Sequence, residues 1–306
     1  MIGPMSVSAG EVRYRGRAAI ALEAEGVSAV FLPGAGMTGV SLRFGDRERL
    51  ALPGGVPRIE GGSTAGLPLL APWANRLASP RFRSGRIEVD LSDAPVRTDD
   101  NGLPIHGLLL GSPRWQVTQL ATRGSSAHLG ASITVGEPSF PFAHRIDLLV
   151  TARDRALVVD TTVTPTGRRP VPVAFGWHPY LRLPDSPRSQ WRLRLPARRH
   201  LVLDRLGLQT GDEVAEPAEA EPIGGRRFDD LYALGRDRRL AFVADDQEIE
   251  LHCGKGYPYA QVWVPAGRTY AALEPMAAPT NALVSGGAPL VEPGDTYTAR
   301  FTLAGR

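Results

Sequence analysis

The chain has 306 residues, 42% of them apolar and 22% charged, a balance that suits a globular protein with ample material for a core and excludes a disordered one. Its formal charge is only +3, and its small arginine clusters at 168–169, 198–199 and 226–227 stand near acids or proline rather than in a basic run, which argues against a nucleic-acid partner. With a lone cysteine, Cys253, no internal disulfide or cysteine-based zinc site can form; with no basic-then-apolar start and no long apolar run, the expected setting is cytoplasmic, with no membrane partner.

Glycine and proline number 34 and 27, about one residue in five, and this favours many short elements joined by turns over long helices. Strands are predicted in chain order at 18–23, 27–32, 47–52, 86–91, 115–120 and 127–135. The stretch 142–164 lacks glycine, is rich in Val, Leu, Ile and Thr, and carries Arg153-Asp154-Arg155 at its middle, a hairpin pattern. Further strands follow at 191–195, 240–244, 248–253, 260–264, 270–274 and 297–303. The Ala/Glu/Pro run 213–222 is short enough to be a surface loop. Apolar and polar residues alternate in these segments as they do in half-buried strands, no low-complexity linker separates them, and no repeat of fixed period emerges. The expected architecture is all-β, one domain spanning residues 1–306.

Ionisable groups placed where the alternation breaks are the candidates for chemistry, because strand ends and loops carry function. Three segments stand out: Asn101-Gly102-Leu103-Pro104-Ile105-His106-Gly107, Phe175-Gly176-Trp177-His178-Pro179-Tyr180, and Glu274-Pro275-Met276 with the residues up to Asn281. In each a titratable side chain sits beside Gly or Pro, which fixes the local backbone. Each alone is as compatible with an ordinary turn histidine or a strand-end carboxylate in an ion pair. Together, a glutamate with two histidines supplies a base and an acid for proton exchange near neutral pH. His128, His144, His200 and His252 fall in strand-like runs, on positions that alternation turns toward solvent or beside Arg and Asp, and read as structural. His-x-His, His-Glu-x-x-His, phosphate-binding glycine loops and Gly-x-Ser-x-Gly are all missing, so metal, nucleotide and serine-hydrolase chemistry have no motif to stand on.

The ordered set of motifs resembles the aldose 1-epimerases, or galactose mutarotases. Leu70-Ala71-Pro72-Trp73-Ala74-Asn75-Arg76, the two histidine segments, Phe228-Asp229-Asp230-Leu231-Tyr232, Leu273 to Leu283, and the tail Leu290 to Asp295 follow one another as that family's landmarks do. Any one is weak; the series covers at least three quarters of the chain. The resemblance implies a large antiparallel β-sandwich of the supersandwich kind with a sugar cleft and no cofactor or metal. It implies that Glu274 is the general base for the anomeric hydroxyl and His178 the general acid for the ring oxygen. His106, Arg76 and Asn75 would polarise the ring oxygen and hydroxyls, with Asp229, or Asp230 if the register slips by one, accepting from sugar hydroxyls. Trp73, Trp177 and Tyr180 have the character to stack on a sugar face. Trp73 stands where the family more often has Tyr, and Pro-Met follows Glu274 in place of Pro-Gln, so the sugar is less well defined than the reaction.

Three rivals keep part of this reading: a non-catalytic carbohydrate-binding protein on the same sandwich, an epimerase for a hexose 6-phosphate held by arginine-rich loops such as 81–83 or 226–227, and a metal-dependent lyase or hydrolase with His106, His178 and Glu274 as ligands. The sequence leaves the oligomeric state open.

Overall fold

The computed structural model describes residues 7–306. The predicted strands at 18–23 and 27–32 are Arg17–Ala24 and Val27–Leu32, central members of a five-stranded antiparallel sheet. The predicted hairpin is His144–Arg153 followed by Ala156–Pro165, registered from Arg153 opposite Ala156 to His144 opposite Pro165. Its two turn residues, Asp154 and Arg155, both lie at positive φ (47° and 57°), the backbone that a two-residue hairpin connection requires if its twist is to match the strands. Burial alternates strictly along His144–Arg153, so one face enters the core and the other meets solvent.

That hairpin lies in a nine-stranded antiparallel sheet running from Glu219–Pro222 at one edge to Gln116–Arg123 at the other, with Gln247–Cys253, Tyr297–Gly305 and Ala156–Pro165 adjacent in its middle. An eight-stranded sheet carries, in spatial order, Gln209–Glu216, Arg198–Leu203, Phe228–Leu234, Tyr259–Val264, Ala271–Met276, Gly176–Trp177 and Leu69–Leu70, with Tyr180–Leu181 also paired to Ala271–Met276. One continuous apolar cluster runs from Ile20 to Leu303 and takes side chains from each of the three larger sheets, among them Leu157 and Phe301 of the nine-stranded sheet, Tyr232, Val262 and Leu273 of the eight-stranded one, and Leu22 and Phe31 of the five-stranded one. This is a large antiparallel β-sandwich. Helix is confined to short pieces, the longest being the six residues Gly55–Glu60, and no helix among the described residues is long and apolar enough to cross a membrane.

Three sequence expectations need correction. The segment 47–52 is not one strand: Arg47–Glu48 pairs with Thr38–Phe44, and beyond it the chain changes partner, Leu50 bridging Leu181, the Arg49 carbonyl accepting the Arg182 amide at 2.9 Å and the Ala51 amide donating to the Tyr180 carbonyl at 2.8 Å, while the Glu48 carboxylate accepts the amides of Leu42 (3.0 Å) and Leu50 (2.9 Å) at the changeover. The run 213–222 is not a loop: it forms the end of Gln209–Glu216 and all of Glu219–Pro222, edge strands exposed along most of their length and so without the apolar alternation that marks a half-buried strand. His144 faces the interior rather than solvent, with its Nδ1 2.6 Å from the Phe142 carbonyl and its ring edge-on to Phe140.

Candidate active site

All six residues of Ala271–Met276 are buried. One face of this strand packs on the core through Leu273; on the other, Glu274 stands opposite Gln261 in the ladder with Tyr259–Val264. The approach of Gly176–Trp177 on the other side depends on Gly176, which pairs with Met276: a Cβ there would lie 2.2 Å from the Met276 sulfur and 2.9 Å from the Pro275 carbonyl. This close contact brings His178, two residues on, over Glu274. His178 Nε2 lies 3.3 Å from Glu274 Oε1, with side-chain exposures of 7% and 2%.

His106 arrives from a separate loop that crosses the end of the same sheet. Its backbone is left-handed (φ 67°), as is that of Asn75 (φ 54°), and its amide donates to the Asn75 carbonyl at 3.1 Å. Asn and His are among the side chains that enter this region most readily, and both use it where the two loops meet at that bond. The His106 ring meets His178 edge-on, centroids 5.7 Å apart, while Tyr180 lies nearly parallel to His178 at 4.5 Å and shares a 2.7 Å hydrogen bond with Thr64. The three segments singled out in the sequence thus converge on a cavity of about 310 Å³ lined by Asn75, Arg76, His106, His178, Tyr180, Asp229 and Glu274, and also by Thr64, Arg97, Asp99 and Trp263.

A polar chain runs round the mouth. Asn75 Nδ2 donates to Gln261 Oε1 (3.5 Å), Gln261 Nε2 to Asp229 Oδ1 (2.7 Å), Arg76 Nη2 faces Asp229 Oδ2 at 3.8 Å, and Arg76 Nε donates to Asp99 Oδ2 at 2.8 Å. Deeper in, Nδ1 of both histidines and Oε2 of Glu274 are buried without a partner. Burial, with the Asp229 charge adding, pushes the Glu274 carboxyl well above its ordinary value; burial pushes His178 down to about 3 and His106 well down as well. Among the described residues no group of three or more His, Cys, Asp or Glu side chains is arranged to hold a metal ion.

The structure places three of the expected site residues away from the cavity. Trp73 and Trp177 are wholly buried and line no part of the cavity: Trp73 packs against Phe140, and Trp177 donates from Nε1 to Thr161 at 3.1 Å with Phe301 beside it, so both are core side chains rather than sugar platforms. Asp230 points to the opposite face of its strand from Asp229, where it meets His200 Nε2 at 3.5 Å and the Tyr232 hydroxyl. Tyr180 does line the cavity, with its ring stacked on His178. The arginines of 81–83 are ion-paired across their own hairpin to Asp90 and Glu88, and Arg226 to Glu219, away from the cavity. Trp263, Gln261, Arg97 and Asp99 escaped the sequence reading; a glutamine within the otherwise apolar Tyr-Ala-Gln-Val-Trp-Val was the one visible sign of the first two.

The same architecture occurs in known structures. A galactose mutarotase-like protein from Clostridium acetobutylicum superimposes with a TM-score of 0.87 at 18% identity, covering 98% of each chain. Galactose 1-epimerase from Lactobacillus acidophilus gives 0.79 at 12% identity over 98% of this chain and 99% of its own, and a putative aldose 1-epimerase from Escherichia coli 0.73 at 18% over 97% and 99%. No curated protein sequence matches the chain. The fold is therefore galactose mutarotase-like. The family model described as aldose 1-epimerase matches residues 30–304, and the chain belongs to that family.

Proposed function

We propose that this protein is an aldose 1-epimerase that interconverts the α and β anomers of a free hexose by acid–base ring opening and reclosure. The observation that carries the reading is the buried contact between His178 Nε2 and Glu274 Oε1 at 3.3 Å, with the His106 ring against His178 and an open cavity in front of them. Burial disfavours both charges, so in the free site the pair holds its one proton on Glu274 beside a neutral His178; the reactive form carries that proton on His178 across the 3.3 Å contact, with bound sugar hydroxyls supporting the freed carboxylate. Glu274 takes the proton of the anomeric hydroxyl as His178 delivers one to the ring oxygen. The bond between the anomeric carbon and that oxygen breaks, leaving an open-chain aldehyde and a hydroxyl. Rotation about the bond to the neighbouring carbon presents the other face, and the protons return by the reverse steps. His106, Arg76 and Asn75 polarise the ring oxygen and hydroxyls, Arg76 as a donor that never loses its charge. Asp229 accepts from sugar hydroxyls. A bound hydroxyl would also satisfy the buried Glu274 Oε2, which finds no partner within the protein.

Polarimetry on freshly dissolved α-glucose and α-galactose tests the reading: the protein should speed the decay of rotation at catalytic concentration. Binding without any faster decay would favour a carbohydrate-binding protein instead. One observation supports a hexose 6-phosphate as substrate. Arg97 lines the cavity, is exposed, has no carboxylate within ion-pair distance among the described residues, and donates only to the Ser63 hydroxyl at 3.4 Å. Strong competition by inorganic phosphate would select that substrate, and its absence the free sugar.

A further inference from the structure

Two turns flank Arg76, and they match in sequence and in hydrogen bonding. The first is Asp99-Asp100-Asn101-Gly102-Leu103, the second Asp204-Arg205-Leu206-Gly207-Leu208. In the first, Asp99 Oδ1 accepts the amides of Asn101 and Leu103, both at 2.9 Å; the Asp99 amide donates to the Leu103 carbonyl and the Gly102 amide to the Asp99 carbonyl. In the second, Asp204 Oδ1 accepts the amides of Leu206 (2.8 Å) and Leu208 (3.0 Å), and the same two backbone bonds recur. Gly102 and Gly207 both take left-handed backbone, φ 79° and 74°.

The turns differ in how they meet Arg76. Asp99 uses its second oxygen, Oδ2, to accept from Arg76 Nε at 2.8 Å. Gly207 presents bare backbone: a Cβ there would lie 2.6 Å from Arg76 Nη1 and 2.9 Å from Cζ, whereas a Cβ on Gly102 would meet nothing within 4 Å. The guanidinium is thus tied at Nε and walled at its Nη1 side, and its remaining charged neighbour is Asp229, 3.8 Å from Nη2. Released from Asp99, it would be free to close on Asp229, and two groups that face the cavity would then neutralise each other.

We propose that Asp99 and Gly207 are positioning residues for Arg76: the carboxylate and the bare glycine backbone together fix the guanidinium plane at the sugar site, acting on substrate only through Arg76. The inference rests on the epimerase reading and assigns that site its supporting parts. Both oxygens of Asp99 are engaged, Oδ1 by the turn amides and Oδ2 by Arg76, so its effect, like that of Gly207, falls on sugar binding more than on proton transfer.

The substitution Asp99→Asn separates support from folding, because the amide oxygen can still accept the two turn amides while its nitrogen, a donor, faces the Arg76 donor. Steady-state polarimetry should show KM rising about tenfold, with kcat within about threefold of wild type and the thermal midpoint little changed. Gly207→Ala should raise KM similarly, and Gly102→Ala should not, although both place alanine on left-handed backbone; equal effects of the two alanines would reduce the Gly207 result to backbone strain and overturn its role. The Arg76 Nε proton, followed by NMR hydrogen exchange, gives a readout independent of turnover. It should exchange about tenfold faster or more in Asp99→Asn. Unchanged exchange and unchanged KM in that variant would refute the positioning role. A wild-type protein that accelerates no aldose would sink the epimerase reading alone, and the exchange measurement would still decide whether Asp99 holds Arg76.

Discussion

His178 Nε2 and Glu274 Oε1 stand 3.3 Å apart at the floor of a cavity, and the histidine is held there by a ring stack on Tyr180 and edge contacts from His106 and Trp263. Ladder pairing fixes the carboxylate and aromatic packing fixes the imidazole, so the contact is preorganised by two independent parts of the fold. A pair set in this way loses little to reorganisation when a proton moves.

Replacing either partner should remove turnover without unfolding the chain. Glu274→Gln and His178→Asn are each expected to lower kcat by about 10²- to 10⁴-fold, the range that positioned acid–base groups contribute. Circular dichroism spectra should stay close to wild type, showing that both variants fold. Full activity in Glu274→Gln would show that the base has been misassigned.

The same pair predicts a pH signature in stability. Burial raises Glu274 above its ordinary 4.5 and lowers His178 from 6.5 to about 3, so the folded pair keeps one proton across a wide range. Below about pH 4.5 the unfolded chain binds a proton to both groups while the folded pair still holds one, and stability falls with falling pH until His178 protonates. Above about pH 6.5 the unfolded chain holds none, and stability falls with rising pH until the folded Glu274 ionises. Between these limits the two contributions cancel. In Glu274→Gln the alkaline loss disappears, so the variant should gain on wild type above about pH 4.5 by up to about 1.4 kcal/mol per pH unit. Urea titrations at pH 4, 6 and 8 measure the gap; a gap that does not widen with pH would contradict a raised Glu274.

Strand alternation explains what was legible in the sequence and what was not. The hairpin 142–164 showed itself because one face of each strand is wet, whereas Thr38–Phe44, buried on both faces, has no alternation to read. His106, His178 and Glu274 stood out because glycine or proline interrupts the pattern beside each. Gln261 and Trp263 lie within an uninterrupted strand, and Asp99 could have been found only by noticing that Asp-x-x-Gly-Leu occurs twice. The place of Trp177 follows from the same alternation: neighbours on extended backbone point to opposite faces, so a cavity-facing His178 sends Trp177 into the core and brings Tyr180 back beside His178.

That alternation also separates Asp229 from Asp230. Asp229 accepts from Gln261 and faces Arg76 at the cavity mouth, while Asp230 belongs with His200, which also bonds Glu216 at 2.9 Å through Nδ1. Asp229→Asn should raise KM for the sugar about tenfold through loss of a charged acceptor. Asp230→Asn should leave KM within about twofold, as a substitution away from the site does. Reversed effects would mean that the strand register in solution differs from that described.

The two tryptophans nearest His178 should fail in different ways. Trp263 edges both His178 and Tyr180 from the cavity wall and is partly exposed, so Trp263→Ala should raise KM about three- to tenfold by removing an aromatic surface from the sugar site. Trp177 has no exposure and anchors the two large sheets to each other through its bond to Thr161 and its contact with Phe301. Trp177→Ala should therefore cost about 3–5 kcal/mol of stability, and Trp177→Phe, which keeps most of the volume, should retain the wild-type KM. Denaturant midpoints and sugar kinetics on the three variants resolve the assignment. A raised KM in Trp177→Phe with unchanged stability would return Trp177 to the sugar site.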